Sequence, residues 1–413
     1  MKKLISLLLV VVLMSTLLLT VASAEDKVVL EILSLKQEQS CQDAFAEMFA
    51  GFQKLYPNVE FDLQSMTADQ LKTTLRARAA SSDMPDLITW MKEIEPEYLL
   101  DLNGQDFLNN LSADTVAAAN AIYDNGVYAM PIDNGYIALY YNKDVLAANN
   151  IAVPTTLTEL RTACETLKAN GVTPFATGCL DLSVPYMSLI ALFSETVFGQ
   201  DPEWSAKRDA GEVSIAASAE WKLAFDLQKE FAYGYADPNN TFNMSYDDSN
   251  AALATGAAAF YGNGSWALSG IRAANPDANI GLMAFPISDN AEDAKLLAFP
   301  DSAMSIAKDS KNAEMALAFL EYMTSAEAGE IWSRNVKVSS AVTGVNVDYD
   351  PIAADISAYM TSGQFTPYGD RVLRSIFTDK LWESFSKYML DTTTWEALSA
   401  DLDTFWDKAR DAE

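Results

Sequence analysis

The sequence predicts an α/β protein of two interleaved lobes, and three observations predict it. At 413 residues, half of them hydrophobic, the chain is long enough to bury two cores. Residues 28–63 read as strand, helix, strand, the opening of a βαβ unit. The stretch 127–144, VYAMPIDNGYIALYYNKD, is extended at both ends and broken in the middle. Pro131 lacks the N–H that a ladder needs, and Gly135 admits backbone angles that other residues resist. A chain that is extended on both sides of such a break crosses there from one compact body to another. Asp133 and Tyr136 fall in the break, with side chains placed to meet a ligand.

The amino end reads Met-Lys-Lys, an apolar run over 4–21, then Ala22-Ser23-Ala24. This is the pattern of a secretory leader cleaved after Ala24, the alternative being an uncleaved membrane anchor. No later apolar run is long enough to span a bilayer. With 28 basic and 57 acidic residues the formal charge is −29, so no basic footprint for nucleic acid or anionic lipid exists. Histidine is absent, which removes Ser-His-Asp and Cys-His nucleophiles and every histidine metal site. Three cysteines make no complete disulfide framework; Cys164 and Cys179 can pair in an oxidising compartment, but spacing alone does not decide it.

Residues 28–35, VVLEILSL, alternate as a strand, and 36–40 form a polar loop with Ser40 as helix N-cap. Phe45, Met48, Phe49, Phe52, Leu55 and Tyr56 keep helical spacing up to Pro57-Asn58, and 59–63 form the next strand. Open α/β sheets bind ligands beyond the carboxyl ends of their strands, which puts Gln37, Glu38 and Gln39 at a site edge. After a helix over 71–80, the short strand 86–90 ends in Trp90, either a ligand platform or a cover for the core beneath 93–100.

Beyond the break, Thr156 and Glu159 make a capping box, and Leu157, Leu160, Cys164 and Leu167 supply the buried stripe of that helix. Cys164 is thus most simply a core residue. Residues 172–176 return as strand, and 181–250 read as helices with loops. Carboxylates at 236–249 lack the spacing and glycine of a calcium loop, so no metal is expected. In 256–271, GAAAFYGNGSWALSGI, a strand ends at Tyr261 and Gly262-Asn263-Gly264 makes a tight turn. Ser265 then caps a helix with Trp266 in its first turn, at the carboxyl end of a strand. Neither a P-loop lysine nor a dinucleotide fingerprint is present, so no cofactor is expected. Residues 281–286 leave that lobe, and 296–300 and 303–306 re-enter sheet with Asp301-Ser302 between them. The tail is helical, with Trp395, Leu398, Leu402, Phe405 and Trp406 on one stripe. Tyr368, Arg371 and Trp382 are weaker candidates for the cleft.

Several of these stretches together resemble the extracellular solute-binding proteins of family 1, the carbohydrate-capturing subunits of bacterial ABC importers. They are 126–144 ending LYYNKD, the Pro85-Asp86 strand, PTTLTEL followed by NGVTPF, 256–266 ending GSW, and YMTSAEA at 322–328. The resemblance covers most of the chain. It implies a two-lobed periplasmic-binding-protein-like fold (type II) with a hinge and an interlobe ligand cleft. The lobes would be 25–133 with 287–337, and 138–283 with 341–413, joined near 132–138, 283–288 and 335–342. It also implies a saccharide ligand, an ABC permease as partner, no enzymatic activity, a monomer, and export to the periplasm or cell exterior. No cysteine follows the leader, so the lipid-anchoring signal usual among Gram-positive relatives is missing.

Sugars present apolar ring faces and a rim of hydroxyls. Aromatic planes suit the faces and carboxylates or amides the rim, so the expected ligand set is Glu38, Gln39, Trp90, Asp133, Tyr136, Trp266 and Asp301. Two other readings share these residues. A secreted glycosidase or lyase would use a carboxylate pair such as Glu38 and Asp301. A ferric-iron binder would use Tyr140-Tyr141, although adjacent strand residues point to opposite faces.

Overall fold

Alternation along strand Val28–Ser34 divides two cores. Leu30 and Ile32 join one apolar cluster, and Leu33 joins another across the sheet. That sheet has five strands, in the order Val59–Ser65, Val28–Ser34, Leu87–Thr89, Ala303–Ile306, Met130–Pro131. The first three run parallel, and Ala303–Ile306 is antiparallel to both of its neighbours. Helices Gln39–Leu55, Ala313–Met323 and Ala326–Val336 cover one face with Phe45, Phe52, Phe319 and Trp332. Helix Ala68–Ala80 covers the other with Leu71 and Leu75.

The second lobe is organised on strand Asp133–Asn142. Its first half pairs with Leu296–Pro300, its second half with Ile280–Met283, and its other side with Ala258–Gly264, all antiparallel. Thr173–Phe175 and Phe365–Thr366 extend this sheet at its two ends by parallel pairing. Ile137, Leu139 and Tyr141 point into one core, and Tyr136, Ala138 and Tyr140 into the other. Tyr140 and Tyr141 therefore occupy different cores and cannot share a metal. The carboxyl-terminal helices Ser375–Met389 and Trp395–Arg410 close the larger core with Phe377, Leu398, Leu402 and Trp406.

This computed structural model describes residues 27–89, 94–121, 123, 125–180, 182–345, 349–366 and 373–411. The leader, Trp90, Tyr368 and Arg371 lie outside them. The chain passes from the first sheet to the second between Pro131 and Asp133. It returns between Pro300 and Ala303, and Asp301-Ser302 makes that crossing. The crossing expected near 283–288 is corrected by this pairing, because Leu296–Pro300 is laddered to Asn134–Ile137 and belongs to the second lobe. Ser339–Ser340 pairs with Asp133 and Asn134 beside the same hinge, and Tyr349 packs in the second lobe.

Local chemistry was read correctly at Thr156, whose capping box with Glu159 is formed, and at Cys164, which is fully buried. All three cysteines are free thiols, so Cys164 and Cys179 are not bridged. Two caps differ from expectation. Helix Gln39–Leu55 begins after Glu38 rather than Ser40. Strand Ala258–Gly264 runs through the glycines, leaving Trp266 rather than Ser265 at the head of helix Ala267–Ala274.

Candidate functional site

The two crossings are tied to each other by Asp133. One carboxylate oxygen accepts the Ser302 N–H at 2.7 Å, and the other accepts the Trp332 indole N–H at 2.6 Å. The side chain is fully enclosed. Burial, then the neighbouring charge of Asp301, push its pKa up to about 6, against the pull of Lys36, Trp332 and Ser302. With both oxygens spent inside the hinge, Asp133 braces the crossings and does not offer itself to a ligand. That corrects its expected role.

Asp301 is placed differently. Its Oδ2 lies 2.9 Å from Lys36 Nζ, and its side chain keeps 17% of its surface open. Oδ1 has no partner among the described residues and is available as a hydroxyl acceptor. Lys36 comes from the loop after the first strand, where its N–H donates to Ser34 Oγ and its carbonyl accepts Gln42 Nε2. Burial opposes the charge on Lys36, but Asp301 and Asp133 outweigh it and hold the ammonium protonated. Cys41 lies in the same field, its thiol pushed up to about 12, chiefly by burial.

Gly135 is where the pieces converge. A β-carbon there would stand 2.6 Å from Asp301 Cβ and 3.2 Å from both Phe299 Cε2 and Ser265 Oγ. Only glycine lets these three groups close over the strand. Ser265 donates its N–H to Tyr136 O at 2.8 Å, while its fully buried hydroxyl has no partner among the described residues. Next in sequence, the partly buried Trp266 folds its six-membered ring over Gly264, 6.4 Å from the Phe299 ring. Asp301, Ser265 and Trp266 thus form one strip at the hinge end of the second lobe.

Tyr136 is not part of that strip. It is 2% exposed, with its hydroxyl 3.2 Å from Tyr140 Oη, which in turn donates to Gly264 O. Its ring lies in a core with Ala138 and Tyr261, so it has no face to lend to a sugar. Glu38 and Gln39 are exposed at the head of helix Gln39–Leu55, with Gln39 turned to Asp43 at 2.8 Å. Burial, then the charges of Tyr261 and Glu38, raise the Tyr246 hydroxyl pKa. Trp382 is exposed and meets Tyr186 edge-on at 4.5 Å.

Lys36 is the polar group at the crossings that the expected ligand set left out. Lys36 had a signal, since it shares the strand-end loop with Glu38 and Gln39. Of the surface cavities among the described residues, one of 240 Å³ is lined by Leu75, Met84, Ile94 and Tyr98, and one of 480 Å³ by Val172, Pro174, Tyr233 and Tyr235. Neither includes a residue of the crossings, and a site that senses lobe movement must touch both lobes.

The model of the family described as bacterial extracellular solute-binding protein matches residues 36–330. A multiple sugar-binding protein of Streptococcus mutans is 28% identical over 344 residues, 79% of this chain and 78% of its own. The melibiose/raffinose/stachyose-binding protein MelE of Bacillus subtilis is 24% identical over 362 residues, 84% of this chain and 81% of its own. Among solved structures, the binding protein RafE in complex with raffinose superposes with a TM-score of 0.78 at 20% identity, covering 93% of this chain and all of that one. A chitin oligosaccharide binding protein gives the same score at 22% identity, over 93% and 99%. These are binding proteins, which decides against the glycosidase reading of Glu38 and Asp301. With the family model spanning well over half its length, the chain belongs to the bacterial extracellular solute-binding proteins.

Proposed function

We propose that the protein captures an oligosaccharide between its lobes outside the cytoplasm and delivers it to the permease of an ABC importer. The observation that carries this reading is the strip at Gly135. It sets a carboxylate with one oxygen unpaired among the described residues (Asp301) beside a partly buried aromatic ring (Trp266), packed over the buried Ser265. Trp266 takes a sugar face, and Asp301 takes hydroxyls on its rim. Glu38 and Gln39 meet the ligand from the first lobe, so the closed form is favoured only when one molecule touches both sides. The sugar-binding relatives support the ligand class. The protein acts as a monomer and is exported by a leader ending at Ala24.

Thermal melts against raffinose, stachyose, xylotriose and chitotriose test the reading. A ligand at a hundred times its Kd stabilises the native state by about 2.7 kcal/mol. At least one of the four is expected to raise the melting temperature by several degrees. A chain that none of them shifts, and that calorimetry finds silent toward all four, is not an oligosaccharide carrier of this kind.

A further inference from the structure

The two crossings carry a second layer of side chains behind the ligand-facing strip. Lys36 and Asp301 are 265 residues apart in sequence, and Asp133 and Trp332 are 199 apart, yet each pair is in direct polar contact. Lys36 is anchored at its own backbone by Ser34 and Gln42, and its ammonium takes one oxygen of Asp301. Trp332 is fully buried in helix Ala326–Val336 of the first lobe, and its indole takes one oxygen of Asp133. The other oxygen of Asp133 holds the Ser302 N–H, next in sequence to Asp301. A path of polar contacts therefore runs from the first lobe through both crossings to the carboxylate at the cleft.

We propose that Lys36 and Trp332 are positioning residues of the cleft: Lys36 turns Asp301 so that its second oxygen meets the ligand, and Trp332, through Asp133, fixes the crossing that carries Asp301. The proposal rests on the saccharide reading above. Without Lys36, Asp301 rotates freely, and two neighbouring carboxylates lose their shared counter-charge. Without the indole N–H, Asp133 loses a donor to its charged form.

The charges around Asp133 make this arrangement sensitive to pH. Facing it are Asp301, which favours the acid, and Lys36 with the Trp332 and Ser302 N–H groups, which favour the carboxylate; Glu38 and Cys41 act on the same ammonium. Burial adds to the acid side, and the balance lies at about 6. Protonation replaces the charge that both N–H groups meet with a neutral acid, so the two bonds weaken and the crossing slackens. Affinity should accordingly fall as pH drops through that region.

The experiment measures affinity by calorimetry from pH 5 to 8, using whichever of raffinose, stachyose, xylotriose and chitotriose the wild type binds most tightly. Lys36→Met is expected to weaken binding about tenfold or more at pH 7.5, while Lys36→Arg stays within about threefold. Trp332→Phe keeps the ring and removes the donor, so the midpoint of the pH dependence moves upward. A soluble Lys36→Met with wild-type affinity overturns the proposal, and so does a Trp332→Phe profile that superposes on the wild type. If Lys36→Met does not fold, the Trp332→Phe profile decides.

A sugar-free arm separates this idea from the functional reading. The Trp332 indole N–H resonance, assigned by its loss in Trp332→Phe, should titrate with a midpoint near 6 in the unliganded protein. A resonance that lies at the position of a free indole N–H throughout pH 5 to 8 sinks the bracing role whatever the protein binds. A titrating resonance in a protein that binds none of the four saccharides keeps the bracing and discards the oligosaccharide.

Discussion

Replacing Trp266 by alanine separates a binding surface from a packing one. The ring is partly buried, folded on Gly264 and tilted 58° to Phe299 at 6.4 Å, and it packs against the larger core of the second lobe. A fully enclosed tryptophan costs about 3–5 kcal/mol when truncated. One covered on a single side should lose roughly half of that, about 2 kcal/mol. For lobes of this size, each kcal/mol lowers the melting temperature by about 2–4 °C, so the free variant should melt some 4–8 °C early. Loss of the stacking face removes a further 1–3 kcal/mol or so from binding, by analogy with bases on aromatic rings. That is about five- to 150-fold in Kd. Calorimetry supplies both numbers, melting for the free protein and titration with the best-bound saccharide. Trp266→Phe should recover most of the stability and part of the affinity. A variant that melts far earlier than this yet binds at wild-type affinity where folded would refute the placement of Trp266 at the ligand.

Two further outcomes are expected. Glu195 is fully buried and accepts the Lys295 N–H at 3.3 Å, and burial raises its pKa well above the usual carboxylate range. A carboxyl whose folded pKa is raised binds more protons native than unfolded, so its contribution to stability is present at low pH and lost as pH rises through the folded value. Melting curves from pH 5 to 8 should therefore show the wild type losing ground steadily to Glu195→Gln, and parallel curves would contradict a displaced titration. Separately, intact mass of natively exported protein should correspond to a chain beginning at Glu25, whereas material retaining Met1–Ala24 would mean an uncleaved anchor.

The general fold was legible because it depends on local pattern. Alternation at 28–35 and the capping box at Thr156 each follow from a few neighbouring residues and appear in the structure, whereas the break expected over 131–135 shrinks to Ile132, since Pro131 ends one strand and Asp133 begins the next. Sheet membership is less local. Leu296–Pro300 and Ala303–Ile306 are both short apolar runs, and only the pairing partner puts one in each lobe. Tyr136 was misread for a related reason. A strand in the middle of a sheet with helices on both faces buries every side chain, and the near-continuous apolar run 136–141 is the mark of that burial. A tyrosine in such a run is core unless its strand ends there.

The carboxylate proposed to face the ligand shows why the candidate site was only half legible. Asp133 and Asp301 are equivalent on the page: each is an aspartate at a crossing, flanked by apolar strand. What distinguishes them is how many donors reach each one. Asp133 meets two N–H groups inside the hinge, one from Trp332 and one from Ser302, and so has nothing left to offer. Asp301 meets a single ammonium that takes one oxygen and leaves the other open. Both sets of donors arrive from remote parts of the chain, so no window of sequence contains them. A buried carboxylate with both oxygens held by donors inside the hinge holds a structure together, and one with an oxygen to spare beside a partly exposed ring is the group a hydroxylated ligand can reach.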